Sequence, residues 1–312
     1  MSLASHVSTL GRGPGRSRSL SRDEAFDAMG LMLSDDCAPE AIGAFLMLLR
    51  MKGETAEEIA GLAAAAQVHM PALPFVDLDW PSYAAGRTRG APWFLRSAKK
   101  VAQEGYRVLL HGWNGTDHKV RAGLHRVGIA IAQSPDEVAR FLDRDGIAYL
   151  PLEKCHPSLF RLLTLRDVLG LRSCINTVSR MLNPACATAS VQGVFHPSYR
   201  LLQADAAALL GWRNLTVIKG GGGEFERNPA KEIVAFGLRD GRIWEAQFPA
   251  LRSETRRLSE TAGSDGVGAF EVSNPTEFET DIIEGTAALV LETLGAWTTS
   301  LPVDACKTDK VA

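Results

Sequence analysis

No apolar run in the 312 residues approaches the roughly 18 needed to cross a bilayer. The first 22 residues also lack the uninterrupted apolar stretch of a secretory signal. Both absences lead us to expect a soluble, cytoplasmic protein with no membrane partner. Cysteine is scarce: Cys37, Cys155, Cys174, Cys186 and Cys306 are odd in number and share no CxxC spacing. That argues against a disulfide framework and against a cysteine-rich zinc site. The glycine run at 220–223 is not followed by the Gly-Lys-Ser/Thr ending of a Walker loop. A large net charge is missing as well; the formal value is -2 and the pI about 6.4. No internal repeat is visible.

What is present is 46% hydrophobic residues, enough for one large or two unequal domains with a real core. The near-neutral total hides an asymmetry. Residues 1–22 carry Arg12, Arg16, Arg18 and Arg22 and no acid, and residues 87–126 carry nine Lys/Arg against Glu104 and Asp117. Separation of this kind can mark a surface for anionic ligands, or an uneven scatter of solvated charge.

Residues 1–20, rich in Gly, Ser and Arg, read as a flexible basic tail. Residues 21–74 read as a helical dimerisation domain. Ser21 with Glu24 and Thr55 with Glu58 form capping-box patterns, and Pro39 suits the first turn of a helix carrying Ile42, Phe45, Leu46 and Leu49. The apolar faces around Phe26, Met29, Phe45 and Leu49 exceed what three short helices can bury, so a homodimer is expected through this unit. Residues 75–300 alternate strand-like runs (107–110, 191–195, 215–218, 232–238, 242–248) with helical ones (135–142, 158–169, 199–210, 277–294). This predicts an α/β domain with helices flanking a central sheet, and the hairpin signal at Asp240-Gly241 makes that sheet mixed. Residues 301–312 read as a second tail.

Four segments carry a family resemblance. They are Arg50-Met51-Lys52-Gly53-Glu54-Thr55 with Glu58-Ile59-Ala60-Gly61; His156-Pro157 with Leu165-Arg166 and Leu169-Gly170-Leu171-Arg172-Ser173; Asn176 with Asn183-Pro184-Ala185; and Val217-Ile218-Lys219-Gly220. In order and spacing they resemble anthranilate phosphoribosyltransferases, glycosyltransferase family 3, over roughly residues 21–295. The resemblance implies a small helical domain joined to a larger α/β domain, substrates between them, and a homodimer. It also implies transfer of the ribose carbon of phosphoribosyl pyrophosphate to an aromatic amine, with Mg²⁺ on the pyrophosphate. Arg166 matches the family arginine that meets the anthranilate carboxylate.

Several positions depart from the pattern. Where the family has a Gly-Thr-Gly-Gly-Asp turn, this chain has Asp79-Trp80-Pro81-Ser82-Tyr83 and no glycine before Gly86. Where it has Lys-His-Gly-Asn-Arg, this chain has Leu110-His111-Gly112-Trp113-Asn114, losing both cations and gaining Trp113. Trp113 reads either as core packing or as a stacking face for an aromatic ring. Phe225 stands at the family's metal-binding aspartate, while Glu226 matches its glutamate and is the one metal candidate. Glycines 220 to 223, that is Gly220, Gly221, Gly222 and Gly223, read either as a flexible loop or as an anion-binding nest beside Lys219. His156 and His196, lacking metal spacing, read as structural.

Three functions compete on this reading. The first expectation is a divergent branch that binds single-stranded nucleic acid without sequence preference and lacks the tryptophan-pathway activity. Its candidate contacts are Arg87, Arg89, Arg96, Lys99, Lys100, Trp113, Lys119 and Arg121, cations for phosphates interleaved with rings for bases. Against it stands the acidic pI. The alternative is a glycosyl- or phosphoribosyltransferase with altered donor or acceptor. Its small phosphorylated ligand would lie in a cleft of His111, Gly112, Arg166, Lys219 and Gly220 to Gly223, with Mg²⁺ as the implied cofactor. A pure interaction scaffold is third.

Overall fold

The computed structural model describes residues 2–84, 90–114, 119–258 and 275–295. The candidates Arg87 and Arg89 and the tail 301–312 lie outside the described residues. In chain order the helical part holds α1 (Leu3–Gly11), α2 (Arg22–Leu33), α3 (Pro39–Lys52) and α4 (Ala56–Val68). The α/β part follows with β1 (Leu78–Ser82), α5 (Phe94–Gln103), β2 (Val108–Gly112), α6 (Lys119–Arg126), α7 (Pro135–Asp145), β3 (Ile147–Pro151), α8 (Leu152–Cys155), α9 (Pro157–Thr164), α10 (Arg166–Leu169), α11 (Ile175–Arg180), β4 (Ala189–Val194), α12 (Ser198–Leu209), β5 (Asn214–Lys219), β6 (Ile233–Arg239), β7 (Arg242–Phe248) and α13 (Glu277–Thr293).

Both capping boxes form, Ser21 with Glu24 and Thr55 with Glu58. Glu58 does more than cap. It is fully buried, accepts the Leu20 N–H at 2.9 Å and pairs with Lys52 at 2.8 Å. This ties the chain before α2 to the end of α3.

Residues 3–11, expected to belong to a flexible tail, form α1 instead. Leu3, His6 and Leu10 are buried, with Val7 packed beside them, and His6 sits 2.7 Å from Asp27 of α2. Apolar residues spaced three and four apart overrode the Gly/Ser/Arg composition that suggested disorder. The dimer argument changes for the same reason. Met29, Phe45 and Leu49 are fully buried within one chain, and of the four residues invoked Phe26 alone is exposed.

The sheet runs β3-β2-β1-β4-β5-β6-β7. β1 to β5 pair in parallel, and β6 and β7 add antiparallel at one edge. The fold is therefore a helical domain joined to an α/β domain with a mixed sheet flanked by helices. On one face, side chains from α1–α4, α7, α8, α9, α11 and α12 merge into a single apolar core. On the other, α5, α6 and α13 cover Leu78, Trp80, Val191 and Ile218. The chain winds outward from β1 to β3 and then returns to β4 on the other side of β1. The strand order reverses there, and a crevice opens beyond the carboxyl ends of Ser82, Val194 and Lys219.

Candidate functional site

A cleft of about 700 Å³ lies at these strand ends, between the helical and α/β parts. Its lining includes Arg50 from α3, Arg166 from α10, Arg172, Asn176 and Arg180 around α11, and Gln203 from α12. Asp167 is the single acid among its lining residues. Arg180 is buried; its guanidinium pKa is lowered by desolvation, and its Nη1 donates to the Asn176 carbonyl at 3.0 Å. Arg166 lies over the Trp113 ring, 5.7 Å from the centroid, and its buried Nη1 has no hydrogen-bond partner. His196, read as structural, lines this cleft. His156 is buried elsewhere and caps α9, its Nδ1 accepting the Leu159 N–H at 3.2 Å.

A second cleft, about 820 Å³, adjoins the first at Phe195, which lines both. Lys219, Gly220, Gly221, Gly222, Lys231, Arg200 and Glu226 contribute to it. The loop from Gly220 to Glu226 is folded on itself rather than open as a nest. The Gly220 amide donates to Val194 O, the Gly221 amide to Glu226 O, and the Gly223 amide to Gly220 O. Gly222 and Gly223 take φ of +64° and +101°, the left-handed region that glycine enters without strain. A Cβ on Gly220 would fall 1.6 Å from the Glu224 carbonyl oxygen. The glycines thus allow a turn tight enough to drive Glu224, Phe225 and Glu226 inward.

Those three side chains occupy the space beneath β1 and α5. Glu224 Oε1 accepts the Ala84 N–H at 2.9 Å, directly after β1, and Arg172 holds the Ala84 carbonyl at 2.9 Å. Glu226 Oε2 accepts the Phe94 N–H in the first turn of α5 at 2.9 Å. Phe225 packs edge-on against Trp80 with centroids 5.8 Å apart. Desolvation, reinforced by the charge of Glu224, pushes the Glu226 carboxyl up to about 8 despite its backbone donors.

His111 and Gly112, expected to line the ligand cleft, stand inside β2 and line neither cleft. His111 Nε2 lies 3.0 Å from Asp79 Oδ1, off hydrogen-bond geometry, and its Nδ1 is 3.0 Å from the Tyr83 hydroxyl. Asp79 in turn accepts from Ser190 at 2.7 Å. This polar chain is wholly buried under the strand ends, where period-two alternation of β1 and β2 points it away from the cleft.

The basic segment is spoken for. Lys100 pairs with Glu284 at 3.0 Å, Arg107 with Asp143 at 2.9 Å, and Arg121 with Glu153. Lys99 reaches the Gly128 carbonyl, Arg96 lies against the Trp93 ring, and Lys119 opens α6 and is half-buried. Trp113 is half-buried and packs edge-on against Phe160, 5.8 Å between centroids, so its ring serves packing.

A helical bundle set against a mixed sheet, with a cationic cleft at the switch of strand order, defines the class of two-domain glycosyl transferases. The description "Glycosyl transferase family, helical bundle domain" matches residues 7–70, and "Glycosyl transferase family, a/b domain" matches residues 95–278. The anthranilate phosphoribosyltransferase of Symbiobacterium thermophilum is 30% identical over 242 residues, covering 75% of this chain and 70% of that protein. That of Bacillus mycoides is 31% identical over 234 residues, covering 72% and 68%. The chain belongs to the anthranilate phosphoribosyltransferase family.

Solved structures share the fold. The Thermus thermophilus enzyme superposes with a TM-score of 0.77 at 21% identity, covering 95% of this chain and 90% of its own. The Saccharomyces cerevisiae enzyme in complex with PRPP and Mg gives 0.73 at 16%, covering 95% and 89%. These relatives overturn the expectation of a nucleic-acid-binding protein without the tryptophan-pathway activity. The matched proteins bear an enzyme's name, none is described as binding nucleic acid, and the cations offered for phosphates are engaged within the chain. No described helix is long and apolar enough to cross a membrane.

Magnesium, bound in the yeast structures, does not fit the residues present here. Glu226 is buried, bonded to the Phe94 amide and disposed to keep its proton, Glu224 is bonded to the Ala84 amide, and Phe225 lies between them. Among the described residues no three His, Cys, Asp or Glu side chains come together.

Proposed function

We propose that this protein is a glycosyl- or phosphoribosyltransferase with an altered donor or acceptor. The observation that carries it is the pair of cationic clefts meeting at Phe195 beyond the parallel strand ends. Glycosyl transfer from a phosphorylated donor requires two ligands side by side and cations against the departing phosphate. Arg166 is suited to the carboxylate of an acidic acceptor in the first cleft. Lys219, Lys231 and Arg200 are suited to the phosphate of a donor in the second. The donor is the altered partner. The backbone amides of Ala84 and Phe94, which an external phosphate could otherwise take, are held by Glu224 and Glu226. The site acts in the cytoplasm as a homodimer on this reading, with Phe26, Met51 and Val68 left exposed on the helical part for the dimer contact.

The test is direct. Purified protein is incubated with phosphoribosyl pyrophosphate and with sugar phosphates, each against a set of aromatic acids that includes anthranilate, with and without magnesium. New glycosides are sought by mass. A product that disappears in both Arg166→Met and Lys219→Met supports the reading. Absence of product from every pair, with the acids shown to bind, sinks it. Light scattering that returns a monomer mass at micromolar concentration sinks the dimer.

A further inference from the structure

The first cleft contains more than charge. The Asn176 side chain is 7% exposed, yet neither its Oδ1 nor its Nδ2 has a hydrogen-bond partner. Gln203, at 1% exposure on the facing helix α12, has an unpartnered Oε1. Both residues line the cleft together with Arg50, Arg166, Arg172 and Arg180. A buried carboxamide left wholly unpaired is costly, about 1–3 kcal/mol for each orphaned group. Such a group persists in a cleft wall when a bound molecule satisfies it.

The chemistry of that molecule can be read from the wall. Asn176 presents a donor and an acceptor on one planar group, so its complement is a planar group with an acceptor and a donor side by side. A lactam (ring C=O beside ring N–H) and an amidine edge both qualify, and a benzene ring does not. Gln203 Oε1 asks for one further N–H. The guanidinium groups of Arg50, Arg166, Arg172 and Arg180 ask for an anion, and their planar forks favour carboxylate or phosphate.

We propose that the first cleft selects a heteroaromatic acid, a nitrogen ring with a lactam or amidine edge and an acidic substituent, with Asn176 as the specificity-determining residue. This rests on the transferase reading only for the ligand's role as acceptor; the recognition itself is a binding statement. The Asn176 amide pairs with the ring edge, and Arg166 Nη1, which has no partner within the chain, receives the acid.

The experiment uses three probes on the full chain by calorimetric titration: uracil-6-carboxylate, which has both edge and acid; benzoate, acid alone; and uracil, edge alone. Uracil-6-carboxylate is expected to bind about tenfold to a hundredfold more tightly than either of the others, the range set by leaving a buried amide unpaired. Asn176→Leu, similar in volume, is expected to erase the preference over benzoate while benzoate affinity holds. Arg166→Met is expected to weaken both acids and leave uracil unchanged. Asn176→Asp serves as a second variant should the leucine form fail to fold, and it too is expected to lose the preference. Benzoate binding as tightly as uracil-6-carboxylate overturns the proposal, and so does a preference that survives in a folded Asn176 variant. Selective binding without any transfer removes the transferase reading alone. Transfer confined to carbocyclic acids removes this inference alone.

Discussion

Glu226 Oε2 accepts the Phe94 N–H at 2.9 Å, which sets a carboxyl group against the first turn of α5. Two effects oppose each other there. The positive end of a helix favours the carboxylate, by up to about 2 kcal/mol in partly buried geometries, while full desolvation and neighbouring Glu224 favour the acid. Burial wins, since the carboxyl is pushed up to about 8.

A pH dependence of stability follows. Between the ordinary value of 4.5 and about 8 the native state holds a proton that the unfolded state has released. Stability therefore falls as pH rises through that window. Glu226→Gln, neutral at every pH, is expected to flatten the fall. Thermal unfolding of both proteins across the window checks this; parallel profiles would count against a buried, protonated Glu226.

The glycine turn makes a sharp contrast with an ordinary glycine. Gly220→Ala would place a methyl 1.6 Å from the Glu224 carbonyl oxygen, backbone that cannot swing aside. A loss of about 1–3 kcal/mol or more is expected, as for other overpacked sites. Gly30, inside α2 with nothing within 4 Å of a built Cβ, should behave oppositely. Gly30→Ala is expected to add about 0.5–1 kcal/mol through helix propensity and a stiffer unfolded chain. Denaturant titration of the two variants decides, and equal effects would show that the turn is not tight.

Much of this architecture was legible because its signals are local. The capping boxes at Ser21 and Thr55, the Asp240-Gly241 hairpin and helix α13 all follow from spacing within a few residues. β1 escaped because Trp80-Pro81 reads as a loop. Pro81 is tolerated because β1 pairs with β4 only at Leu78 and Asp79, so no ladder bond to β4 is asked of it. β3 is a short apolar run that periodicity cannot tell from a buried helix segment. The apolar spacing of Phe94, Leu95, Ala98 and Val101 does mark α5, but the cations between them drew the reading toward a binding surface. In the cleft, Arg166 could be named in advance through its motif. Asn176 appeared there only as a motif residue, and Gln203 and Arg180 not at all. Their significance lies in unpaired atoms and burial, which depend on partners from four separate elements.

The charges of the basic segment are predicted to be energetically ordinary. Lys100 and Glu284 form a pair that is about a third to a half exposed, and such pairs contribute about 0–1 kcal/mol. Replacing Lys99 and Lys100 together by alanine is expected to leave the unfolding midpoint within that range and to leave acid binding in the first cleft untouched. A loss of cleft affinity in this variant would mean that α5 communicates with the cleft through Phe94 and Glu226.

Trp113 has a different fate. Its indole is held edge-on against Phe160, and the Arg166 guanidinium lies over its face. The ring is half-buried, so Trp113→Ala forfeits about half of what a core tryptophan contributes, about 2 kcal/mol. It also removes the surface on which Arg166 rests, a cation–π contact of about 0.5–2 kcal/mol. Two readouts are therefore expected to move together: the unfolding midpoint, and the affinity of the first cleft for benzoate. Trp113→Phe keeps a smaller ring for both neighbours and should recover most of the affinity. If benzoate binding is unchanged in Trp113→Ala while stability falls, the ring packs the core but does not position Arg166, and the stacking contact carries no weight in the cleft.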